Sequence, residues 1–235
     1  MDSPKNRGRK LIEPLVVILP AYNAEPTLAK VAKDIRRNLP RALIIGVDDG
    51  STDGSRKLLR TVADETIEFD VNRGKGAALR AGFDAALKKG AAAVLTIDSD
   101  GQHDAAFAPA IVNALDRADI VIGTRDLSGK GVPKHRRIAN MISSAATRAV
   151  SGGKVRDSQS GYRAIKAEVL RKVQAVGDRY EYETDFIIRA ARAGFTTVNV
   201  PISTIYGSPS YFREFRDAWL VIKVLWRHKA GVLKR

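Results

Sequence analysis

A chain of 235 residues that is 44% hydrophobic and 28% charged is long enough to build a packed core and too apolar to stay unfolded. Its 40 Lys and Arg against 26 Asp and Glu give a formal charge of +14, which favours anionic partners without choosing among nucleic acid, anionic lipid and small phosphates. With no Cys, disulfides, thiolate metal sites and a Cys nucleophile are excluded together.

Residues 1–14 read as a flexible basic arm, and Met1 to Glu13 has no apolar signal segment. Leu15 to Leu19 is a short apolar run stopped by Pro20, the pattern of a buried parallel strand. Pro26 opens a helix with Leu28, Val31, Ile35 and Leu39 on one face. A second strand is predicted at Ala42–Val47, a helix at Ser55–Val62 and a third strand at Thr66–Val71. Lys75–Lys89 is Ala-rich and helical, Ala92–Ile97 is a fourth strand and Ile120–Gly123 a fifth. Asp126–Arg137 reads as a long basic loop, Ala139–Val150 as a helix and Ser151–Tyr162 as a loop again. A helix at Tyr182–Ala193, a strand at Thr197–Ile202 and a helix at Phe212–His228 complete the pattern. Alternating strands and helices predict an α/β fold with an open, mostly parallel sheet. No linker divides it, so 15–210 is expected to be one domain, followed by a basic amphipathic helix over 211–235. No apolar run reaches the roughly 18 residues of a membrane-crossing helix, and a cytoplasmic protein is expected.

Three apolar strands end in polar or acidic loops, at Pro20–Asn23, Asp48–Asp53 and Asp98–Asp104. In open α/β sheets the carboxyl ends of the strands line the ligand crevice, so these loops should converge there. Asp98-Ser99-Asp100 places two carboxylates one residue apart in a turn, suited to a hard divalent cation, with Gln102, His103 and Asp104 close by. Such a cation can neutralise a leaving diphosphate. Asn72-Arg73-Gly74-Lys75-Gly76 opens a helix, where backbone N–H groups together with Arg73 and Lys75 are suited to phosphate. The spacing is not that of a P-loop, and no Gly-x-Gly-x-x-Gly follows a strand. His103, His135 and His228 lack zinc spacing, and the Gly-x-Ser-x-Gly elbow of a serine hydrolase is missing. No RNA-recognition signature or basic zipper occurs, so no specific nucleic-acid partner is expected.

Taken in order, Pro20-Ala21-Tyr22-Asn23-Ala24, Asp48–Ser55, Asn72–Gly76 and Asp98-Ser99-Asp100-Gly101-Gln102 resemble the inverting family 2 glycosyltransferases. Gly123-Thr124-Arg125, Gln159-Ser160-Gly161-Tyr162-Arg163, Tyr180–Ala190 and Val200-Pro201-Ile202-Ser203 are similar to the dolichol-phosphate mannose synthase branch, and the likeness runs from about residue 14 to 210. The resemblance implies a GT-A fold and a nucleotide-sugar donor of the GDP-mannose or UDP-glucose type. It implies that Pro20, Tyr22, Asn23 and Asp49 hold the nucleoside, with Lys75, Asp98 and Ser99 also on the donor. Mg²⁺ or Mn²⁺ would lie on Asp98 and Asp100, with Gln102 as a further ligand. Asp185 is implied as the acidic residue that serves a hydroxyl acceptor as general base, with Glu183 its neighbour. The branch's acceptor is a polyprenyl phosphate, already anionic, and Arg125, Lys134, Arg136, Arg137 and Arg163 are implied as the cations that place it.

The chain departs from the pattern in places. The Gln-x-x-Arg-Trp motif of processive synthases is absent, and Tyr206 to Phe212 replaces the branch's Ser-Lys-rich segment. In the last helix Phe212, Phe215, Trp219, Ile222 and Trp226 share a face, while Arg213, Arg216, Lys223 and Arg227 lie largely elsewhere. A basic amphipathic helix with Trp suits an anionic membrane surface or a membrane-protein partner, at the cytoplasmic face. The alternatives are transfer to a hydroxyl of a lipid or small molecule, a nucleotidyltransferase, and a nucleotide- or RNA-binding protein that kept the fold without turnover.

Overall fold

The seven residues of Leu15–Ala21 form β1 and are all buried, because alternate side chains enter two different cores. Leu15, Val17, Leu19 and Ala21 point into one, Val16 and Ile18 into the other. Burial on both faces is what a central strand of a parallel sheet requires, and it explains an apolar run without alternation. The computed structural model describes residues 11–125, 134–152, 155–203 and 222–228.

The remaining elements follow as α1 (Glu25–Asn38), β2 (Leu43–Asp48), α2 (Ser55–Val62), β3 (Glu65–Glu68), α3 (Lys75–Lys88), β4 (Ala93–Thr96), α4 (Ala108–Asn113), β5 (Ile120–Arg125), α5 (Lys134–Ser151), β6 (Arg163–Lys166), α6 (Ala167–Lys172), α7 (Glu181–Arg192) and β7 (Thr197–Ile202). A helical stretch at 222–228, here α8, packs on α7 through His228. The sheet order is β3-β2-β1-β4-β6-β5-β7. All pairings are parallel except those of β6, which runs antiparallel to β4 and β5. Leu28 and Ile35 of α1, Leu59 of α2 and Ile111 of α4 fill the core on one face. Leu79 and Phe83 of α3, Val169 of α6 and Phe186 and Ile187 of α7 fill it on the other. The chain winds outward from β1 to β3 and then returns to place β4 on the other side of β1. This reversal makes the gap between the ends of β1 and β4 the switch point where such folds bind ligands.

The expected α/β class and mostly parallel sheet are therefore present, with three differences. The third strand is Glu65–Glu68 and stops short of Val71, which is 67% exposed. The short elements α4, β6 and α6 were not anticipated. α5 begins at Lys134, so Lys134, Arg136 and Arg137 lie on its first turn and not in a loop. Their side chains lie outside the described residues, as do Met1–Lys10, Tyr206 to Phe212 and most of the basic last helix. Among the described residues no helix is long and apolar enough to cross a membrane.

Candidate active site

The loops after β1 and β2 are stitched to each other at the rim of the switch point. Asn23, with φ of 49°, accepts the Thr52 N–H at 2.8 Å and donates its own N–H to Ser51 Oγ at 3.1 Å. Ala24 N–H donates to Ser55 Oγ, Glu25 N–H to the Asp53 carboxylate, and Glu25 in return accepts the Gly54 N–H. Pro20 is buried at the end of β1, with Tyr22 half-buried beside it. From α1, Thr27 Oγ1 donates to the Ser99 carbonyl at 2.6 Å and so ties this rim to the acidic turn after β4.

Asp49 is placed differently from the expectation of a nucleoside contact. Its carboxylate accepts the backbone N–H groups of Arg73 (2.7 Å) and Gly74 (2.9 and 3.1 Å) and the Asn72 side-chain amide (3.0 Å). Burial raises its pKa in spite of these donors. The residue is 4% exposed and fills the anion position at the start of α3 that the sequence offers to a phosphate. Gly74 takes φ of 101° there, and a Cβ on it would collide with the Asp178 carbonyl. The Asn72–Gly76 turn is thus held by protein groups on both sides.

Lys75 is also redirected. Its Nζ stands 2.7 Å from Asp98 Oδ1 and 3.2 Å from Glu183 Oε2, bridging the turn after β4 to α7. Burial works against the ammonium, but Asp98 and Glu183 outweigh it and hold the pKa above the ordinary lysine value. For Asp98 burial likewise opposes charge, and Lys75 and His103 outweigh it, keeping its pKa well below the carboxylate range. His103 Nε2 is 3.6 Å from Asp98 Oδ2. Asp100 goes the other way: burial and the charge of Asp98 raise its pKa, while the Gln102 N–H donates to its Oδ1 at 2.9 Å. Gly161 closes this cluster from β6's side, where any Cβ would strike the Asp98 carboxylate and the Lys75 ammonium.

Among the described residues no three His, Asp or Glu side chains form a metal-holding group by themselves. Asp98 and Asp100 instead supply a pair of hard oxygen donors close enough for one charge to oppose the other, and a cation relieves that opposition. This donor set fits Mg²⁺ or Mn²⁺ shared with a diphosphate, because such ions take one or two carboxylates and complete their shell with phosphate oxygens and water.

Two of the three acidic residues of α7, Glu183 and Asp185, part company. Successive residues turn by about 100°, so positions two apart lie on nearly opposite faces. Glu183, 4% exposed, faces Lys75 and the acidic turn. Asp185, fully buried, faces away and accepts the Val176 N–H at 2.8 Å and Arg189 Nε at 2.7 Å, with His228 Nε2 at 2.6 Å. Asp185, expected as a general base, thus has both oxygens bonded inside the protein, while Glu183 is the carboxylate turned toward Lys75 and the acidic turn.

The expected acceptor cations divide similarly. Arg163 is 3% exposed, and its guanidinium donates to the carbonyls of Ser158, Ser160 and Glu183 at 2.8–3.1 Å. It braces the 158–160 loop against α7, so contact with an acceptor phosphate is not its place. Arg125, at the end of β5, makes a two-pronged pair with Asp157 at 2.7 and 3.0 Å. Burial opposes its charge, but Asp157 first, and then Asp98 and Glu183, outweigh it and raise its pKa. Asp157, 1% exposed, went unmarked in the sequence, and its one signal is an acidic residue shortly before Gln159-Ser160-Gly161.

Comparison with known proteins gives the family of the chain. Residues 16–174 match the family model described as Glycosyl transferase family 2. The polyprenol monophosphomannose synthase of Mycolicibacterium smegmatis is 34% identical over 205 residues, covering 80% of this chain and 76% of that protein. The undecaprenyl-phosphate mannosyltransferase of Micrococcus luteus is 31% identical over 202 residues, covering 81% and 83%. Among solved structures, glucosyl-3-phosphoglycerate synthase from Mycobacterium tuberculosis, in complex with Mg²⁺ and UDP, superposes with a TM-score of 0.75 at 22% identity, covering 91% of this chain and 78% of that one. That likeness is one of fold, and it agrees with the GT-A architecture expected from the motifs. With its family model matched over most of its length and relatives of that similarity, the chain belongs to glycosyl transferase family 2 and is a glycosyltransferase.

Proposed function

We propose that the enzyme transfers a hexose from a nucleotide-sugar, of the GDP-mannose or UDP-glucose type, to a polyprenyl phosphate at an anionic membrane surface. The observation that carries this reading is Arg125 at the end of β5, its guanidinium held by the buried Asp157. Two of its N–H groups are spent on Asp157, and a guanidinium so fixed suits a phosphate ester oxygen. The names of the two mannosyl-transferring relatives support the same acceptor class.

In this reading the rim of Pro20, Tyr22 and Asn23 holds the nucleoside, and Ser99 and Lys75 stand beside the donor's diphosphate. Asp98 and Asp100, with Gln102, would hold Mg²⁺ or Mn²⁺, which supplies positive charge for the leaving nucleoside diphosphate when bound. The acceptor phosphate oxygen attacks the anomeric carbon as the bond to the diphosphate oxygen breaks, and the configuration inverts. That oxygen is anionic at neutral pH, so Arg125 orients it and no deprotonation is needed. Arg136 and Arg137, on the first turn of α5, are proposed to assist.

The position of Glu183 favours a second reading, in which the acceptor is a hydroxyl and Glu183 takes its proton. A screen pairing GDP-mannose and UDP-glucose with undecaprenyl phosphate and with glycolipid hydroxyl acceptors, in Mg²⁺ or Mn²⁺, separates the two. Glycosyl phospholipid with matching nucleoside diphosphate, lost in Asp100→Asn, supports the first reading. Product only with hydroxyl acceptors, and lost in Glu183→Gln, supports the second.

A further inference from the structure

Asp185 is a fully buried carboxylate on the helix that carries Glu183, yet it points away from the crevice. Its Oδ1 lies 2.6 Å from Nε2 of His228, a residue 2% exposed on α8. The other ring nitrogen, Nδ1, lies 2.9 Å from Arg192 Nη1, and Arg192 Nη2 donates to the His228 carbonyl at 2.8 Å. An arginine can only donate, so Nδ1 accepts, and the ring proton sits on Nε2, where it donates to Asp185. Burial, with Arg192 and Arg189 nearby, lowers the pKa of His228 in spite of Asp185, in keeping with a neutral ring. One turn before His228, Val224 is 4% exposed, so the two residues form the docked face of α8. Ile222 and Trp226 are exposed at 54% and 66%. Each polar atom of the docked ring thus has a partner on α7, and α7 carries Glu183 two residues from Asp185.

We propose that Asp185, His228 and Arg192 form a clasp that fixes α8 against α7 and thereby sets the position of Glu183, making Asp185 a positioning residue. The proposal rests on the reading of Glu183 as the carboxylate of the crevice. It gives the last helix two functions on two faces, with Val224 and His228 seating it on the enzyme and Ile222 and Trp226 turned outward.

The test compares Asp185→Asn, His228→Ala and His228→Gln in the full chain, by amide hydrogen exchange and by kinetics with the donor and acceptor that support turnover. His228→Ala should raise exchange across 222–228 and in α7, and lower kcat by about 10- to 100-fold with donor KM within about twofold of the parent, the loss expected of a misplaced group. Asp185→Asn should lose a similar amount. His228→Gln, whose amide can still donate to Asp185, should recover most of kcat. Two results overturn the clasp: unchanged exchange across 222–228 in His228→Ala, or loss of turnover in Asp185→Asn while His228→Ala keeps full kcat, which makes Asp185 the base. Glu183→Gln separates the premise. If it turns over normally while exchange responds as expected, α8 is held by the clasp and the assignment of Glu183 fails alone.

Discussion

The ammonium of Lys75 stands 2.7 Å from the carboxylate of Asp98, reaching from the first residue of α3 to the turn after β4. With Glu183 on its other side, it is the counter-ion of two carboxylates that would otherwise share a poorly solvated space. Lys75→Met should destabilise the protein by about 3–5 kcal/mol, the cost of leaving buried charge unpaired. Urea unfolding measures this, and added Mg²⁺ should restore part of the loss. A variant as stable as the parent, with or without the cation, would contradict this account of the cluster.

The pairing of Arg125 with Asp157 predicts a pH dependence of definite sign. Burial opposes the charge of Asp157, but Arg125 outweighs it and holds the carboxyl below its ordinary value of 3.8. A lowered folded-state pKa contributes stability that is present above the ordinary value and lost as pH falls through the lower one. In Arg125→Ala burial is opposed only by the backbone N–H groups of residues 125 and 159, so Asp157 resists ionisation and stability falls as pH rises past the ordinary value. The difference between parent and variant should therefore be largest, about 3–5 kcal/mol, near pH 6, and shrink as pH falls past the ordinary value and on through the lowered one. Urea curves across that range decide it, and a difference independent of pH would sink the idea.

Gly161 has a backbone conformation open to any residue, but no room for one. Gly161→Ala must displace both the Asp98 carboxylate and the Lys75 ammonium. The expected cost is about 1–3 kcal/mol of stability, as for other overpacked sites. Donor turnover should fall further than stability alone explains. Calorimetry and nucleotide release, measured on the same preparation, separate the two effects.

The outward face of α8 predicts lipid binding. Ile222→Ala with Trp226→Ala should weaken partition into anionic vesicles by at least about tenfold, since each large apolar side chain contributes roughly 1.5–3 kcal/mol when buried. Higher salt should weaken binding of both proteins, because basic residues add attraction of roughly 1 kcal/mol each near such a surface. Equal flotation of parent and variant would remove this face from membrane contact.

Much of the fold is legible in the sequence because β1, β2, β4 and β5 are buried on both faces and so read as apolar runs. β6 is not, since Arg163-Ala164-Ile165-Lys166 is four residues long with a charge at each end. The acidic loops were readable as a converging set, whereas the partners of their side chains were not. Nothing near Asp49 says that it accepts the N–H groups of Arg73 and Gly74 just ahead of α3, and nothing near Arg163 says that its guanidinium turns inward to three carbonyls. Glu183 carried a usable signal: it falls in the same arc of α7 as Tyr182, Phe186, Ile187 and Ala190, where a charge needs an ionic partner. Asp185 carried none, because the residue that covers it, His228, comes from the far end of the chain.

The reversed strand β6 also governs when the protein becomes an enzyme. β5 has only β6 and β7 as neighbours in the sheet, and both are made after it. A chain emerging from the ribosome can therefore assemble β1 to β4 and display Asp98 and Asp100 while β5 still waits for a place. Arg125, the 158–161 loop and Glu183 join only as β6 and α7 appear, so until then the acidic turn stands without these neighbours. Such long-range pairing is slow to form, and the acidic turn waits on it for its surroundings.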